Sequence, residues 1–200
     1  MSKYLIGIDE VGRGPIAGPV AIGGAVVCAQ NPQKYLNKVF KGIKDSKQLS
    51  ESQRIKWLDK MNKEKVSGNI DFRVSFVSHK IVDSSGLSKS IKLALSRTLI
   101  KLPHSLQNTT ILLDGGLKAP EIYKKQQTII KGDEKEIIIA LASIVAKVKR
   151  DQKMVRLSKK YPNYCFDEHK GYGTKKHYKC IKKHGVSDIH RTTFLKNLYL

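Results

Sequence analysis

The segment that most constrains the fold opens the chain: an apolar run ends in two acids and continues into a glycine-rich turn. The run Tyr4–Ile8 has the composition of a β-strand, and Asp9 and Glu10 follow it directly, ahead of the turn GRGPIAGP at 12–19. Successive strand residues point to opposite faces, so both carboxylates can serve one site only if the strand stops or bends between them. The glycines just downstream permit such a bend. The pattern therefore predicts negative charge presented at a strand end.

The glycine turn also satisfies the G-x-G-x-x-G/A pattern of a dinucleotide-binding fold. That fold requires a helix directly after the turn, so that the N-terminus of the helix can meet the pyrophosphate. Here Pro19 is followed at 20–27 by small and β-branched residues, which predict a strand instead. No acid lies near the position about 20 residues further on where that fold places one. We therefore reject a dinucleotide cofactor.

The charge balance indicates the class of partner. The chain carries 38 Lys and Arg against 17 Asp and Glu, a formal net charge of +21, which favours phosphate polymers or an anionic membrane surface. The longest apolar stretches, at 20–29 and 137–145, are shorter than the roughly 20 residues of a spanning helix, and the N-terminus lacks a signal-peptide pattern. We expect an unexported, cytoplasmic protein that binds nucleic acid; a merely solvated lysine-rich surface is the alternative.

The cysteines and one histidine group raise the question of zinc. The cysteines form no C-x-x-C pair and are odd in number, so we interpret them as reduced thiols: Cys28, Cys165 and Cys180. His177, Cys180 and His184 share one face of a predicted helix, where zinc ligands can be imagined. Five lysines crowd that helix and would repel a cation. We therefore favour a solvated basic face over a zinc site.

The hydrophobic pattern predicts a single domain of mixed α and β elements. Strands are predicted at 4–9, 20–28, 70–77, 109–114 and 127–131, and helices at 51–65, 87–102, 134–160 and 175–184. Ser50 and Gln53 have the spacing of a capping box, while Thr174 and Gly185 bracket the last helix. Alternating and fully apolar strands occur together, so the sheet is predicted to be mixed.

Two further acids stand in a setting like that of the first pair. Asp114 ends an apolar strand and precedes two glycines, and Asp133 lies at the entrance to the long helix. Asp114 could simply form a turn and Asp133 could cap the helix. Taken with Asp9 and Glu10, however, they make four carboxylates that could converge at one edge of a sheet. Such a set of hard oxygen donors suits Mg²⁺ or Mn²⁺ rather than zinc, and two such ions can clamp a phosphodiester.

Several segments resemble bacterial ribonuclease HII, in order and with similar spacing across nearly the whole chain. They are GIDEVGRGPIAGPV (7–20), DSKQLS (45–50), LLDGG (112–116), KGDEK (131–135), ASIVAKVKRD (142–151), HKGYGTKKHYKCIKKHG (169–185) and HRTTF (190–194). The resemblance implies an α/β, RNase H-like fold, with a mixed β-sheet flanked by helices and a C-terminal helical extension. We accordingly expect one catalytic domain over 1–200, in which about 164–200 forms the extension that contributes to substrate binding.

The resemblance also implies roles for individual residues. The metal-binding and catalytic carboxylates would be Asp9, Glu10, Asp114 and Asp133. The ribose 2'-hydroxyl would be read by Gly12, Arg13 and Gly14, largely through backbone groups. Tyr172 would pack on the sugar at the junction between ribose and deoxyribose, and Lys47 would meet a phosphate near the scissile bond. On the residues alone, Lys47 could equally be a solvated loop charge and Tyr172 an ordinary loop aromatic.

The activity that the resemblance implies is hydrolysis of the RNA strand of RNA/DNA hybrids and cutting at single ribonucleotides within duplex DNA. The cofactor would be Mn²⁺ or Mg²⁺ in a two-ion site, the products would carry 3'-hydroxyl and 5'-phosphate ends, and we expect a monomer. Two alternatives remain open: a non-catalytic nucleic-acid-binding module, and a metal-dependent DNA nuclease on the same fold. Only a partner for the 2'-hydroxyl distinguishes the ribonuclease from the DNA nuclease.

Overall fold

A computed structural model describes residues 3–195, which contain a five-stranded sheet with helices on both faces. The strands are β1 (Lys3–Val11), β2 (Val20–Ala29), β3 (Ile70–Val77), β4 (Thr109–Asp114) and β5 (Gln126–Ile129). The helices are α1 (Pro32–Val39), α2 (Glu51–Val66), α3 (His79–Ser85), α4 (Leu87–Lys101), α5 (Gly132–Lys135), α6 (Ile137–Lys160), α7 (Phe166–His169) and α8 (Lys175–His184). The predicted mixed sheet flanked by helices is confirmed.

The strand order places the acid-bearing strand at the centre of the sheet. The order is β3-β2-β1-β4-β5; β1 pairs antiparallel with β2 and parallel with β4. The remaining pairs are β2 with β3, which is antiparallel, and β4 with β5, which is parallel. The C-terminal ends of the three parallel strands therefore lie at one edge of the sheet, where connecting loops can build a site.

One face of the sheet packs on α4 and the other on α6. On the α4 face, Ile6 and Ile8 join a buried cluster with Leu95 and Leu99, and full burial of each such side chain contributes roughly 1.5–3 kcal/mol. On the opposite face α6 lies directly against the strands. A Cβ at Gly7 would stand 2.2 Å from the carbonyl oxygen of Ile138, so only glycine allows this close approach.

The differences from the predicted elements have local causes. The predicted helix at 134–160 is broken at Glu136, whose φ of −121° and ψ of 116° are extended. The sequence prediction missed α1, α3 and α7. The start of α1 does carry a signal, because Asn31 accepts a hydrogen bond from the Lys34 amide at 3.0 Å and Pro32 occupies its first turn. The capping box at Ser50 is present as predicted.

The chain after α6 packs on the glycine turn through a separate buried cluster. Phe166, Ile181 and Ile189 of this segment lie in one buried cluster with Ile16 of the turn and Met154 of α6. The cluster therefore connects the predicted C-terminal extension to both the turn and the central helix. Residues 196–200 of that extension lie outside the described residues. Within residues 3–195, no helix combines the length and apolar character needed to cross a membrane.

Candidate active site

Asp9 and Asp114 lie side by side at the C-terminal ends of parallel strands. Ile8 of β1 is paired with Leu113 of β4, so the next residue on each strand is one of the two acids. Residues two apart on a strand share a face, and Gly7 faces α6. Both carboxylates therefore project from the α6 face of the sheet.

Glu10 reaches the same edge although β1 does not stop between the two acids. The prediction that the strand ends at Asp9 is wrong: β1 continues to Val11, with Glu10 paired to Ile22 of β2. Glu10 therefore points to the opposite face from Asp9. Its Oε1 accepts a hydrogen bond from Arg13 at 3.0 Å, and its buried Oε2 has no hydrogen-bond partner among the described residues.

The acids at this edge are electrostatically coupled. Burial, with contributions from the charges of Asp114 and Glu10, raises the pKa of Asp9 to about 8, although a hydrogen bond from Ser143 opposes the rise. Burial also raises the pKa of Glu10, and here Arg13 opposes the rise while Asp114 adds to it. A buried carboxylate group with raised pKa values is stabilised by bound positive charge.

Asp133 joins this group from the first turn of α5. Its carboxylate is buried, and Oδ2 accepts a hydrogen bond from the Lys47 ammonium at 3.3 Å. The helix-cap interpretation is wrong, because Lys131 occupies the cap position of α5 and Asp133 lies within the helix. Asp114 Oδ1 accepts a hydrogen bond from the Gly132 amide at 2.7 Å. The turn after β4 is instead closed by the backbone carbonyl of Asp114, which accepts from Leu117.

Lys47 belongs to a loop that is held against the site. The Asp45 side chain accepts from the Lys47 amide at 3.0 Å, and the buried Ser46 hydroxyl lies 2.7 Å from that of Ser143 on α6. The Lys47 side chain itself is 76% exposed. The structure thus places an exposed cation beside Asp133, where an anionic ligand can reach it.

Two buried arginines hold the glycine turn from behind. Arg191 donates to the carbonyl oxygens of Gly12 at 2.7 Å, Arg13 at 3.1 Å and Gly18 at 3.0 Å. Arg150 donates to Pro19 at 3.0 Å and also contacts the carbonyl oxygens of Ala17 and Lys170. Both side chains are fully buried. Because burying a charge without partners is costly, these carbonyl groups both stabilise the arginines and are oriented by them.

The orientation of these carbonyls determines where the amide groups of the turn point. In a trans peptide the C=O of one residue and the N–H of the next point in opposite directions. With the Gly12 and Arg13 carbonyls turned to Arg191, the amides of Arg13 and Gly14 point away from it. Arg13 and Gly14 are also exposed. The turn therefore presents two successive amide donors on the outer side.

Tyr172 stands beside this turn, as the sequence prediction required. Gly171 accepts hydrogen bonds from the Ile16 and Ala17 amides at 2.9 and 3.3 Å. A Cβ built on Gly14 would lie 3.9 Å from Cε1 of Tyr172. Tyr172 is 40% exposed, so part of its side chain is available to a ligand that touches the turn.

Helix α8 carries the basic surface that the sequence predicted, with one correction. Its lysines are exposed: Lys175, Lys176, Lys179, Lys182 and Lys183. His177, however, is fully buried and not part of a solvated face. Its ring nitrogens contact the Tyr172 carbonyl oxygen at 2.9 Å and His190 Nε2 at 3.0 Å. Neither nitrogen is therefore free to bind zinc.

The donor set at the sheet edge fits hard cations. Its members are carboxylates without histidine or cysteine, which is the chemistry of Mg²⁺ and Mn²⁺ sites, and the unpartnered Glu10 Oε2 is a further acceptor. Within residues 3–195, no three acidic, histidine or cysteine side chains are arranged to hold one ion as they stand. Arg13 and Lys47 instead pair with Glu10 and Asp133.

Sequence reasoning assigned no role to Arg150 or Arg191, although both lie in segments that carried the resemblance. A signal exists for Arg150: it lies seven residues after the buried Ser143, which places both on one face of α6. Arg191 has no comparable local signal, because the carbonyl groups that stabilise it lie more than 170 residues earlier.

Comparison with known proteins agrees with this geometry. A protein-family model described as Ribonuclease HII matches residues 6–197. The ribonuclease HII of Endomicrobium trichonymphae is 44% identical over 188 residues, covering 94% of this chain and 83% of that protein. The ribonuclease HII of Caldicellulosiruptor bescii is 39% identical, with coverages of 98% and 88%. The RNase HII of Archaeoglobus fulgidus, solved in complex with PCNA, superposes with a TM-score of 0.70 at 25% identity, covering 94% of this chain and 93% of that one.

Proposed function

The chain belongs to the ribonuclease HII family, and on that premise we propose that it is a metal-dependent endoribonuclease. It hydrolyses the RNA strand of RNA/DNA hybrids and cuts at single ribonucleotides embedded in duplex DNA, leaving 3'-hydroxyl and 5'-phosphate ends. The observation that supports this most directly is the adjacency of Asp9 and Asp114 at one sheet edge, next to a turn with outward-facing amides.

The four carboxylates, Asp9, Glu10, Asp114 and Asp133, hold the divalent ions in this proposal, and Mg²⁺ or Mn²⁺ fits the donors. Bound in pairs, such ions make water nucleophilic at neutral pH and offset charge on the leaving 3'-oxygen. Asp9 and Asp114 supply neighbouring oxygens from one face of the sheet, while Glu10 approaches from the opposite face. Gly132, by donating to Asp114, fixes one carboxylate oxygen and orients the other.

The sugar is read by the turn in this proposal. The amides of Arg13 and Gly14 are donors for the oxygen of a 2'-hydroxyl, a group that DNA lacks. Tyr172 packs on the sugar beside it, within reach of Gly14. A DNA-only substrate would leave the amides without this partner, which is the physical basis for selecting RNA.

Duplex binding is assigned to the exposed cations. Lys47 meets a phosphate near the scissile bond, and the lysines of α8 meet the backbone further along. Contacts of this kind position a duplex and carry little sequence information. We treat 1–200 as one catalytic domain in which about 164–200 is the extension that contributes this surface.

The test uses three duplexes of one sequence: all DNA, DNA with one ribonucleotide, and an RNA/DNA hybrid. Each is incubated after chelation and again with Mg²⁺ or Mn²⁺ restored. We expect metal-dependent cleavage of the second and third, with ends that a ligase accepts. Binding without cleavage would indicate a non-catalytic module, and equal cleavage of all-DNA duplex would indicate a DNA nuclease. Asp59→Asn, at an exposed position on α2, is the matched control for changes to the acids.

A further inference from the structure

A buried pair of imidazoles connects the loop after α8 to the loop that carries Tyr172. His190 Nε2 lies 3.0 Å from His177 Nε2, and His177 Nδ1 lies 2.9 Å from the Tyr172 carbonyl oxygen. At the other end, the Ser187 amide donates to His190 Nδ1 at 2.8 Å, the Ser187 hydroxyl lies at the same distance from Nδ1, and the Ser187 carbonyl oxygen lies 3.3 Å away. Both imidazoles are buried, so solvent cannot replace these partners.

The two ends of this series of hydrogen bonds, Ser187 and Tyr172, determine where each proton lies. A backbone amide can only donate, and the Ser187 amide lies closer to His190 Nδ1 than the Ser187 carbonyl oxygen does, so Nδ1 accepts and the neutral ring carries its proton on Nε2. That proton is donated to His177 Nε2, which places the His177 proton on Nδ1. The Tyr172 carbonyl can only accept, so it takes this last hydrogen bond. All four groups are satisfied in one direction, from Ser187 to Tyr172.

The surroundings favour neutral rings, which this arrangement requires. His177 stacks on His169 with ring centroids 4.2 Å apart and meets the edge of Phe166 at 5.4 Å. Burial, together with His169 and His190, lowers the pKa of His177 to about 4. Protonating either ring would set two N–H groups against each other or against the Ser187 amide.

The same segment also supports the glycine turn. Residues 189–191 run antiparallel to the turn: His190 bridges Ala17, and the Arg191 amide donates to the Ile16 carbonyl at 2.7 Å. Arg191 then orients the Gly12 and Arg13 carbonyls, as described above. Arg191 thus contacts the glycine turn directly, while its neighbour His190 reaches the Tyr172 backbone through His177.

We propose that His177, in the Nδ1-protonated tautomer imposed by His190, is a positioning residue that holds the Tyr172 backbone and thereby sets the ring against the Gly12–Gly14 turn. This inference rests on the proposed function, because it takes Tyr172 as the contact to the sugar. It adds a residue without substrate contact, whose effect passes through Tyr172.

The first test is a pair of substitutions, each of which keeps one of the two hydrogen bonds of His177 and removes the other. The amide nitrogen of Asn occupies the place of Nδ1, so His177→Asn keeps the donor to Tyr172. Gln reaches the place of Nε2, so His177→Gln keeps the contact to His190 and loses that donor. On duplex with a lone ribonucleotide, we expect His177→Gln to lose about three- to tenfold in kcat/KM, the worth of one hydrogen bond, and His177→Asn to remain near the unsubstituted value. His184→Gln, at an exposed position on α8, is the matched control.

A double substitution separates positioning from general damage. If His177 acts through Tyr172, adding His177→Gln to Tyr172→Ala lowers kcat/KM no further than Tyr172→Ala alone. Losses that multiply would overturn the proposal, as would equal losses in His177→Asn and His177→Gln.

The tautomers themselves are measured without any assay of activity. In ¹⁵N-labelled unsubstituted protein, long-range ¹H–¹⁵N spectra should show His177 protonated on Nδ1 and His190 on Nε2. The opposite assignment would overturn the proposal even if every variant failed to fold. Cleavage by the unsubstituted protein is a separate result: its absence would contradict the proposed function and leave the tautomer measurement intact.

Discussion

Replacing the glycines of the turn with alanine should separate support of the turn from contact with the sugar. At Gly12, φ is +92° and a Cβ would stand 2.4 Å from Arg150 Nε and 2.9 Å from the Pro19 carbonyl oxygen. The left-handed backbone costs an alanine about 1–2 kcal/mol, and displacing the charged donor of a buried hydrogen bond about 1.5–3 kcal/mol. We therefore expect Gly12→Ala to lower the free energy of unfolding by about 2.5–5 kcal/mol.

Gly14 should behave in the opposite way. Its φ lies outside the positive range, and the nearest atom to a new Cβ is 3.9 Å away. Stability should change by no more than about 0.5 kcal/mol. The added methyl would, however, lie on the exposed side where the ribose approaches. A displacement of the sugar by about 1 Å can lower kcat/KM by roughly a hundredfold.

The measurements are urea unfolding and steady-state cleavage of duplex with one ribonucleotide. Gly42→Ala is the control for backbone strain, because Gly42 has a φ of +84° and open space around it. Unfolding of Gly12→Ala at the same urea concentration as Gly42→Ala would refute the packing argument. Full turnover by a stable Gly14→Ala would refute the reading of the sugar by this turn.

Three further predictions concern the acids, the basic surface and the C-terminal segment. Asp9→Asn and Asp114→Asn should each lower the cleavage rate at saturating metal by roughly a thousandfold or more without unfolding the protein. Asp133→Asn should also impair cleavage, because this buried side chain is not a helix cap. Near-normal turnover in any of these variants would remove that residue from the ion site. Lys47→Met should weaken binding of hybrid and plain DNA alike. The affinity of the unsubstituted protein for duplex should fall with salt concentration, at a log–log slope of about −0.9 per phosphate contacted. An affinity that does not vary with salt would contradict the phosphate contacts. Burial would raise the pKa of Asp83, but hydrogen bonds from the side chains and amides of residues 192–193 outweigh it and hold that pKa below its usual value. Because the pKa of Asp83 is lowered in the folded state, its ionised carboxylate stabilises the fold above the unfolded pKa of about 3.9, and this stabilisation is lost as pH falls. The difference in stability between the unsubstituted protein and Asp83→Asn, measured by thermal unfolding, should therefore shrink from pH 5 to pH 3. A difference independent of pH would contradict this.

Some of the candidate site could be predicted from sequence because its signals are local. The order of apolar run, acids, glycine turn and second apolar run identifies β1 and β2 and excludes the helix of a dinucleotide fold. Periodicity and capping residues likewise predict α2 and α8. The position of Asp114 after a strand predicts that it lies at an edge of the sheet.

Which acids meet was decided by the tertiary structure. Asp9 and Asp114 become neighbours because β4, about a hundred residues later, pairs parallel with β1 in one register. A shift of one residue would turn every side chain of β4 to the other face. That register depends on the packing of α4 and α6 on the whole sheet, which no local pattern encodes.

The sequence by itself determined the charge, the strand and helix periods and the acids at the strand ends, because these depend on residues close together in the chain. Only the tertiary structure decided that Arg150, Arg191 and His177 are buried. A charged or polar side chain is solvated by default and is buried only where distant carbonyl groups or imidazoles satisfy it. For Arg191 those partners are the carbonyls of Gly12, Arg13 and Gly18, so its place behind the turn is a property of the fold.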